Sequence, residues 1–302
     1  MINMTSRTDW PPKLGVISMT YARPFTAAQF PLFARMRAAG MDYCELLVPE
    51  GHEVDPAAAG QAARDADLSL VLAARVNMDR DLASDSAVAR QAGVAYLRTC
   101  VDVAVACGAN LVGGPLYGTP LVFAGRPPQI FDAAQRAERV ARVVDGLKQG
   151  GAYAMARGVR LAVEPLNRFE TDFCNTGRQA CRLAEMVGSP AIGVMLDTFH
   201  MNMEENDLVE AIRHAAPHLM HFQANENHRG FLGTGHIDWP PLCRALVDID
   251  YLGMITLEPF RRTDHSLSVP LAQWKPPAYD EDADLKHSGA LLRAALHAAA
   301  RS

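Results

Sequence analysis

Short apolar runs alternate along this chain with longer Ala/Leu/Arg-rich segments of helical period. Eight of the runs read as strands: Leu14–Thr20, Tyr43–Val48, Leu68–Arg75, Asn110–Tyr117, Arg160–Leu166, Ile192–Thr198, Leu219–Ala224 and Met254–Pro259. Between them, Ala27–Ala39, Ala57–Ala66, Ser86–Cys107, Ile130–Arg157, Gly177–Val187 and Leu208–Ala216 have the length of helices. Thr26, Asp55 and Thr176 stand as candidate N-caps, because a short side-chain oxygen can accept from the unpaired N–H groups of a first turn. The strands are continuous apolar stretches with no polar alternation, the pattern of a parallel sheet covered on both faces. Eight β/α units without a break in composition predict one closed (β/α)₈ TIM barrel over residues 1–302, with a doubly wound open sheet as the alternative. Residues 1–12 form an N-terminal extension. A Pro-rich, charged stretch over 263–284 reads as a long loop before a final helix, Leu285–Ala299. Loops that follow barrel strands lie on the catalytic face, so this one is expected over the site.

Composition narrows the partners. The net charge of −5 offers no basic face for nucleic acid, whose phosphates require one. No apolar stretch approaches the ~20 residues of a membrane helix, and no secretory signal precedes Pro12. The six cysteines form no CxxC pair or compact framework and read as free, mostly buried thiols of a cytoplasmic protein.

The candidate chemistry sits at strand ends. In a closed barrel, polar groups at the C-terminal ends of strands point into the active site. Glu164, Asp197 and Glu258 each close an apolar run, and Gln223, followed by Asn225 and Glu226, closes the seventh. A single carboxylate there could belong to a structural ion pair. Three converging on one mouth repel one another, and a hard divalent cation with oxygen ligands relieves that repulsion. Six of the ten histidines fall between 200 and 236. His214 and His218 read as surface residues, and His200, three residues after Asp197, lies at the mouth. His221 points the same way as Gln223 one layer deeper, either at the site or as a packed, hydrogen-bonded core histidine.

Four blocks carry a family resemblance. They are Glu164-Pro165-Leu166-Asn167-Arg168-Phe169-Glu170, Leu196-Asp197-Thr198-Phe199-His200-Met201-Asn202, Glu226-Asn227-His228-Arg229-Gly230 and Leu257-Glu258-Pro259-Phe260. With the strand end Gly113–Gly118, they resemble the D-tagatose/D-psicose (allulose) 3-epimerases, a branch of the xylose-isomerase-like barrels. The match runs in order and spacing from Arg160 to Phe260; the first 100 residues match only in architecture. The resemblance implies a divalent metal, Mn²⁺ with Co²⁺ or Mg²⁺ as alternatives, held by glutamate, aspartate, histidine and glutamate. Glu164, Asp197 and Glu258 carry over. The family histidine falls on Gln223, whose carbonyl oxygen is a neutral ligand, as in hydroxypyruvate-isomerase-like and dehydroshikimate-dehydratase-like branches. His221 matches a neighbouring histidine of the family pattern. Substrate contacts carry over to Glu170, His200 and Arg229, and a homo-oligomer, dimer or tetramer, is expected.

The chemistry implied is proton transfer at carbon. Removing a proton next to a ketone gives an enediolate, which a Lewis acid stabilises. Glu164 and Glu258 on opposite faces would remove and return the proton, inverting the centre. An aldose–ketose isomerase uses the same parts, as does a lyase acting on a 3-oxo sugar or glycoside. A metal-free binding barrel is the non-enzymatic alternative. No Gly-rich helix start of the phosphate-binding type stands near strands seven and eight, which favours a non-phosphorylated small-molecule sugar.

Overall fold

The computed structural model describes residues 11–51, 53–75, 77–118, 127, 129–260 and 280–301. Eight parallel strands close on one another in sequence order: β1 Lys13–Ile17, β2 Tyr43–Leu47, β3 Ser69–Ala73, β4 Leu111–Gly114, β5 Arg160–Val163, β6 Ile192–Asp197, β7 Leu219–Ala224 and β8 Met254–Leu257. Closure pairs β1 with β8, Leu14 opposite Ile255 and Val16 opposite Leu257, so the sheet has no free edge. The open-sheet alternative is excluded. The helices are α1 Pro31–Ala38, α2 Pro56–Asp65, α3 Ala87–Cys107, α4 Ala133–Met155, α5 Gly177–Val187, α6 Thr198–Glu204, α7 Leu208–Ala215, α8 Trp239–Asp248 and a final helix, Glu281–Arg301. Among the described residues no helix is long and apolar enough to cross a membrane.

The expected strands overrun at their C-terminal ends. Hydrogen-bonded pairing stops at Ile17, Ala73, Gly114, Val163 and Leu257, where the chain leaves the ladder for the loops of the mouth. Capping largely follows the expectation: Asp55 accepts from Ala58 N–H at 2.8 Å, and Thr176 forms a capping box with Gln179. Thr26 instead caps a 3₁₀ turn, Ala27–Gln29, because Pro31 has no N–H to give and α1 starts there as a separate helix. The final helix begins before Leu285; Glu281, Asp282 and Asp284 favour its first turn. Helix α6 was not expected, and α8 fills the helical place between β7 and β8 that eight β/α units require, although its bounds were not picked out. Residues 1–10 of the extension, and 261–279 within and just before the expected loop, lie outside the described residues.

Each strand sends alternate residues outward and inward. Leu14, Val16, Cys44, Leu46, Leu70, Leu72, Val112, Leu161, Val163, Leu196, Phe222 and Ile255 pack under the helices in one continuous core. Tyr43, Val71, Leu111, Ala162 and Met195 fill the barrel itself. Two glycines make that filling possible. A Cβ at Gly15 would lie 2.4 Å from the Tyr43 ring, and one at Gly113 would lie 2.4 Å from Met195 Sδ. Between Val194 and Met195 the β6–β7 register slips, so that Val194 faces Leu219 but Met195 faces His221. That irregularity resets the parity of β7 and brings His221 and Gln223 into register with Met195 and Asp197 on the inner face. All six cysteines are free and buried, as the sequence indicated.

Candidate active site

The inward positions at the top of β5 to β8 are acidic or amidic. Glu164 follows β5 directly and is held there by its own N–H, which donates to Gly114 O at 2.9 Å. Asp197 ends β6 and starts α6: its Oδ1 accepts from Phe199 N–H (2.7 Å) and from Asn225 Nδ2 (2.9 Å). Its Oδ2, buried like the rest of the residue, has no hydrogen-bond partner. Asn225 Nδ2 also reaches Glu258 Oε2 at 3.3 Å, tying the ends of β6 and β8 together. Thr198 fixes Asn225 by exchanging hydrogen bonds with its backbone, both 2.7 Å.

Arg229 lies across this cluster. One guanidinium nitrogen donates to Glu170 Oε1 and the other to Glu258 Oε2, both at 3.2 Å, with Asp197 Oδ2 at 3.8 Å. Its guanidinium sits 4.5 Å from the ring centroids of both Phe199 and Phe260. The loop that presents it is built on a buried carboxylate. Glu226 accepts from Gly233 N–H (2.8 Å), Trp239 Nε1 (3.0 Å) and Ile237 N–H (3.2 Å). The loop holds Arg229 in the left-handed region, φ 58°, which is unusual for a side chain of this size.

His200 has a definite tautomer. The backbone N–H of Asn167 can only donate, and it donates to His200 Nδ1 at 3.1 Å. Burial and the charge of Arg229 hold the ring well below the usual histidine range, so it is neutral and carries its proton on Nε2. That Nε2 stands 3.6 Å from Glu164 Oε1 and 3.7 Å from Asp197 Oδ2, without a hydrogen-bond partner. The three side chains Glu164, Asp197 and His200 offer atoms within 4.8 Å of one another. The tautomer makes His200 a donor facing the site, which suits a substrate oxygen better than a cation.

The electrostatics describe a site short of positive charge. Burial, then the charges of Glu258 and Asp197, push Glu164 well above the ordinary carboxylate range against the pull of Arg229. Glu258 is pushed well up by burial and by Asp197, again against Arg229, and Asp197 and Glu170 are raised mainly by burial. One arginine cannot neutralise three buried carboxylates and the half-buried Glu170. Gln223, paired in register with Asp197 and Thr256, turns an unpartnered buried Oε1 away from its bonded amide nitrogen. Two orphaned buried oxygens, Asp197 Oδ2 and Gln223 Oε1, and the raised carboxylates Glu164 and Glu258 are oxygen donors of the kind a hard divalent cation takes. The residues present fit such an ion.

One participant was not expected. Glu45, in the middle of β2, is fully buried. Its Oε2 faces His221 Nε2 at 2.9 Å and its Oε1 accepts from Gln223 Nε2 at 3.1 Å. His221 Nε2 also approaches Thr256 Oγ1 (3.2 Å), which bonds Tyr43 OH (2.9 Å). His221 is therefore a hydrogen-bonded histidine one layer below the mouth. Burial alone would raise Glu45, but the charge and hydrogen bond of His221, with hydrogen bonds from Thr256 and Gln223, hold it below the usual range. The signal was present, a carboxylate inside the apolar run Tyr43–Leu47, but it lay in mid-strand instead of at a strand end.

Comparison with known proteins agrees with the barrel fold. The profile of the xylose isomerase-like TIM barrel family matches residues 33–293. An L-ribulose 3-epimerase of Mesorhizobium japonicum is 36% identical over 273 residues, covering 89% of this chain and 88% of that protein. A D-psicose 3-epimerase of Agrobacterium fabrum is 29% identical over 266 residues, covering 87% and 90%. A solved structure of an L-ribulose 3-epimerase superposes with a TM-score of 0.88 at 30% identity, covering 96% of each chain.

Proposed function

This chain belongs to the xylose isomerase-like TIM barrel family, and from that premise we propose that it is a divalent-metal-dependent ketose 3-epimerase. The observation that carries the reading is the pair Glu164 and Glu258. They project from strands on opposite sides of Asp197, buried, interacting, and both raised in pKa. Relatives named for 3-epimerisation of D-psicose and L-ribulose, matched over most of their length, support the same chemistry.

Glu164, Asp197, Gln223 and Glu258 would hold the ion, Mn²⁺ in the first instance. When bound, it supplies a Lewis acid that withdraws charge from the ketose carbonyl and lowers the acidity barrier at the neighbouring carbon. One glutamate takes the proton from C3; the C–H electron pair becomes the C2–C3 double bond of the enediolate as the carbonyl π pair moves onto the C2 oxygen. The other glutamate, protonated, delivers its proton to C3 from the opposite face, and the configuration inverts. Burial and mutual repulsion favour one proton shared between two such groups. The Nε2–H of His200 donates to a sugar oxygen, Arg229 orients Glu258 and Glu170, and Glu170 accepts from a sugar hydroxyl.

Incubating the Mn²⁺-loaded protein with D-psicose, D-tagatose and L-ribulose tests this, with products separated by chromatography. The expected products are D-fructose, D-sorbose and L-xylulose. An aldose product would instead assign an isomerase. No conversion of these sugars, with elimination from a 3-oxo glycoside, would assign a lyase.

A further inference from the structure

A glutamine offers a cation a problem that a histidine does not. The two ends of its amide have nearly the same shape, and only the oxygen can ligate; a rotation of the amide would present N–H groups to the ion. The pocket beneath Gln223 settles the choice. Glu45 Oε1 lies 3.1 Å from Gln223 Nε2, and a carboxylate oxygen can only accept there. Its other oxygen is occupied by His221 Nε2 at 2.9 Å, so the carboxylate cannot turn away without losing both donors. The carboxylate itself is packed on β2 with no solvent access, and β2 pairs to β3 through Glu45 and Val71 in unbroken register. The product of this arrangement is the unpartnered, buried Gln223 Oε1.

We propose that Glu45 is a positioning residue for the metal site: it fixes the amide of Gln223 so that the carbonyl oxygen alone faces the cation. The inference rests on the proposed ligand set, since it presupposes that Gln223 ligates. It gives a role to a buried carboxylate that neither removes a proton nor touches substrate. Partners of this kind typically alter metal affinity 10–100-fold when removed.

The test is a double-mutant cycle on Mn²⁺ affinity, read by competition with a chelating indicator, with thermal midpoints recorded alongside. Glu45→Gln keeps the shape but can offer a donor or an acceptor, so Gln223 is free to turn. We expect it to weaken Mn²⁺ binding about 10–100-fold. In the Gln223→Ala background, where there is no amide to orient, the same change is expected to cost less than about threefold. If Glu45→Gln fails to fold, Glu45→Asp withdraws the acceptor by one methylene and is expected to weaken Mn²⁺ in the same direction. An equal loss in both backgrounds would show that Glu45 only supports the barrel and would overturn the proposal. So would wild-type affinity in a folded Glu45 variant while Gln223→Ala is weakened. If Gln223→Ala itself binds Mn²⁺ like wild type, the ligand set is wrong and the proposal falls with it.

Discussion

Replacing Arg229 with methionine separates charge from packing at the centre of the site. The unbranched apolar side chain keeps contact with the rings of Phe199 and Phe260, which now sandwich the guanidinium at 4.5 Å each. What it removes is, among the described residues, the only cation bonded to Glu170 and Glu258, at 3.2 Å each, with Asp197 at 3.8 Å. Taking one partner from a buried ion pair costs about 3–5 kcal/mol, because the remaining charge stays buried. At about 2 °C per kcal/mol, the low end for a chain of this size, the metal-free protein should lose roughly 6–10 °C in thermal midpoint at pH 8. Saturating Mn²⁺ should shrink that loss, since the ion neutralises Asp197 and Glu258. The remaining deficit is the charged hydrogen bond to Glu170, about 1.5–3 kcal/mol or roughly 3–6 °C. Lowering the pH to 5 in chelator should also shrink it, because carboxylates already raised by burial then take protons. Circular dichroism melts of Arg229→Met and wild type, in chelator and in Mn²⁺, provide the comparison. A loss of equal size in all conditions would refute the reasoning, as would a loss that grows when Mn²⁺ is added.

The raised carboxylates also fix the pH dependence of metal binding. Glu164, Asp197 and Glu258 have folded-state values above their unfolded ones. The stability this contributes to the metal-free fold is complete below about pH 4 and is lost as pH rises through the raised values. An ion must displace those protons, so the Mn²⁺-induced rise in thermal midpoint should grow from pH 5 to pH 8; a rise that is flat or falls with pH contradicts it. Gln223→His should fold and shift the preference among Mn²⁺, Co²⁺ and Zn²⁺, because imidazole nitrogen is a softer ligand than an amide oxygen. An unchanged affinity series would remove Gln223 from the metal shell.

The barrel was legible because eight apolar runs and the helical segments between them recur without interruption. The strand ends were less so: Glu164 and Glu258 sit one residue beyond β5 and β8, where the apolar run gives no sign that the strand has ended. The acids of the mouth were legible because three carboxylates, each closing an apolar run, converge on one mouth, where a structural ion pair explains one of them but not all three. The site's internal wiring was not. The register slip between Val194 and Met195, which puts Gln223 level with Asp197, leaves no mark in composition. Helix α6 went unread because seven residues starting at an aspartate cap are too short to show a period. Glu45 was missed because its partners, His221 and Gln223, lie 176 and 178 residues away, and only barrel closure brings the three together.

Solvent-proton exchange at C3 tests the account most directly. Wild-type protein loaded with Mn²⁺ is incubated in D₂O with D-fructose, D-tagatose or D-psicose, and deuterium at each carbon is followed by NMR. Deuterium is expected at C3, accompanied by the C3 epimer. Glu164→Gln and Glu258→Gln keep the shape and an oxygen but lose the base, and each should slow exchange by at least ~10²–10⁴-fold while still melting cooperatively. Exchange at near wild-type rate in both variants, or no exchange at C3 of any of these sugars by the wild type, would contradict the two-glutamate epimerase.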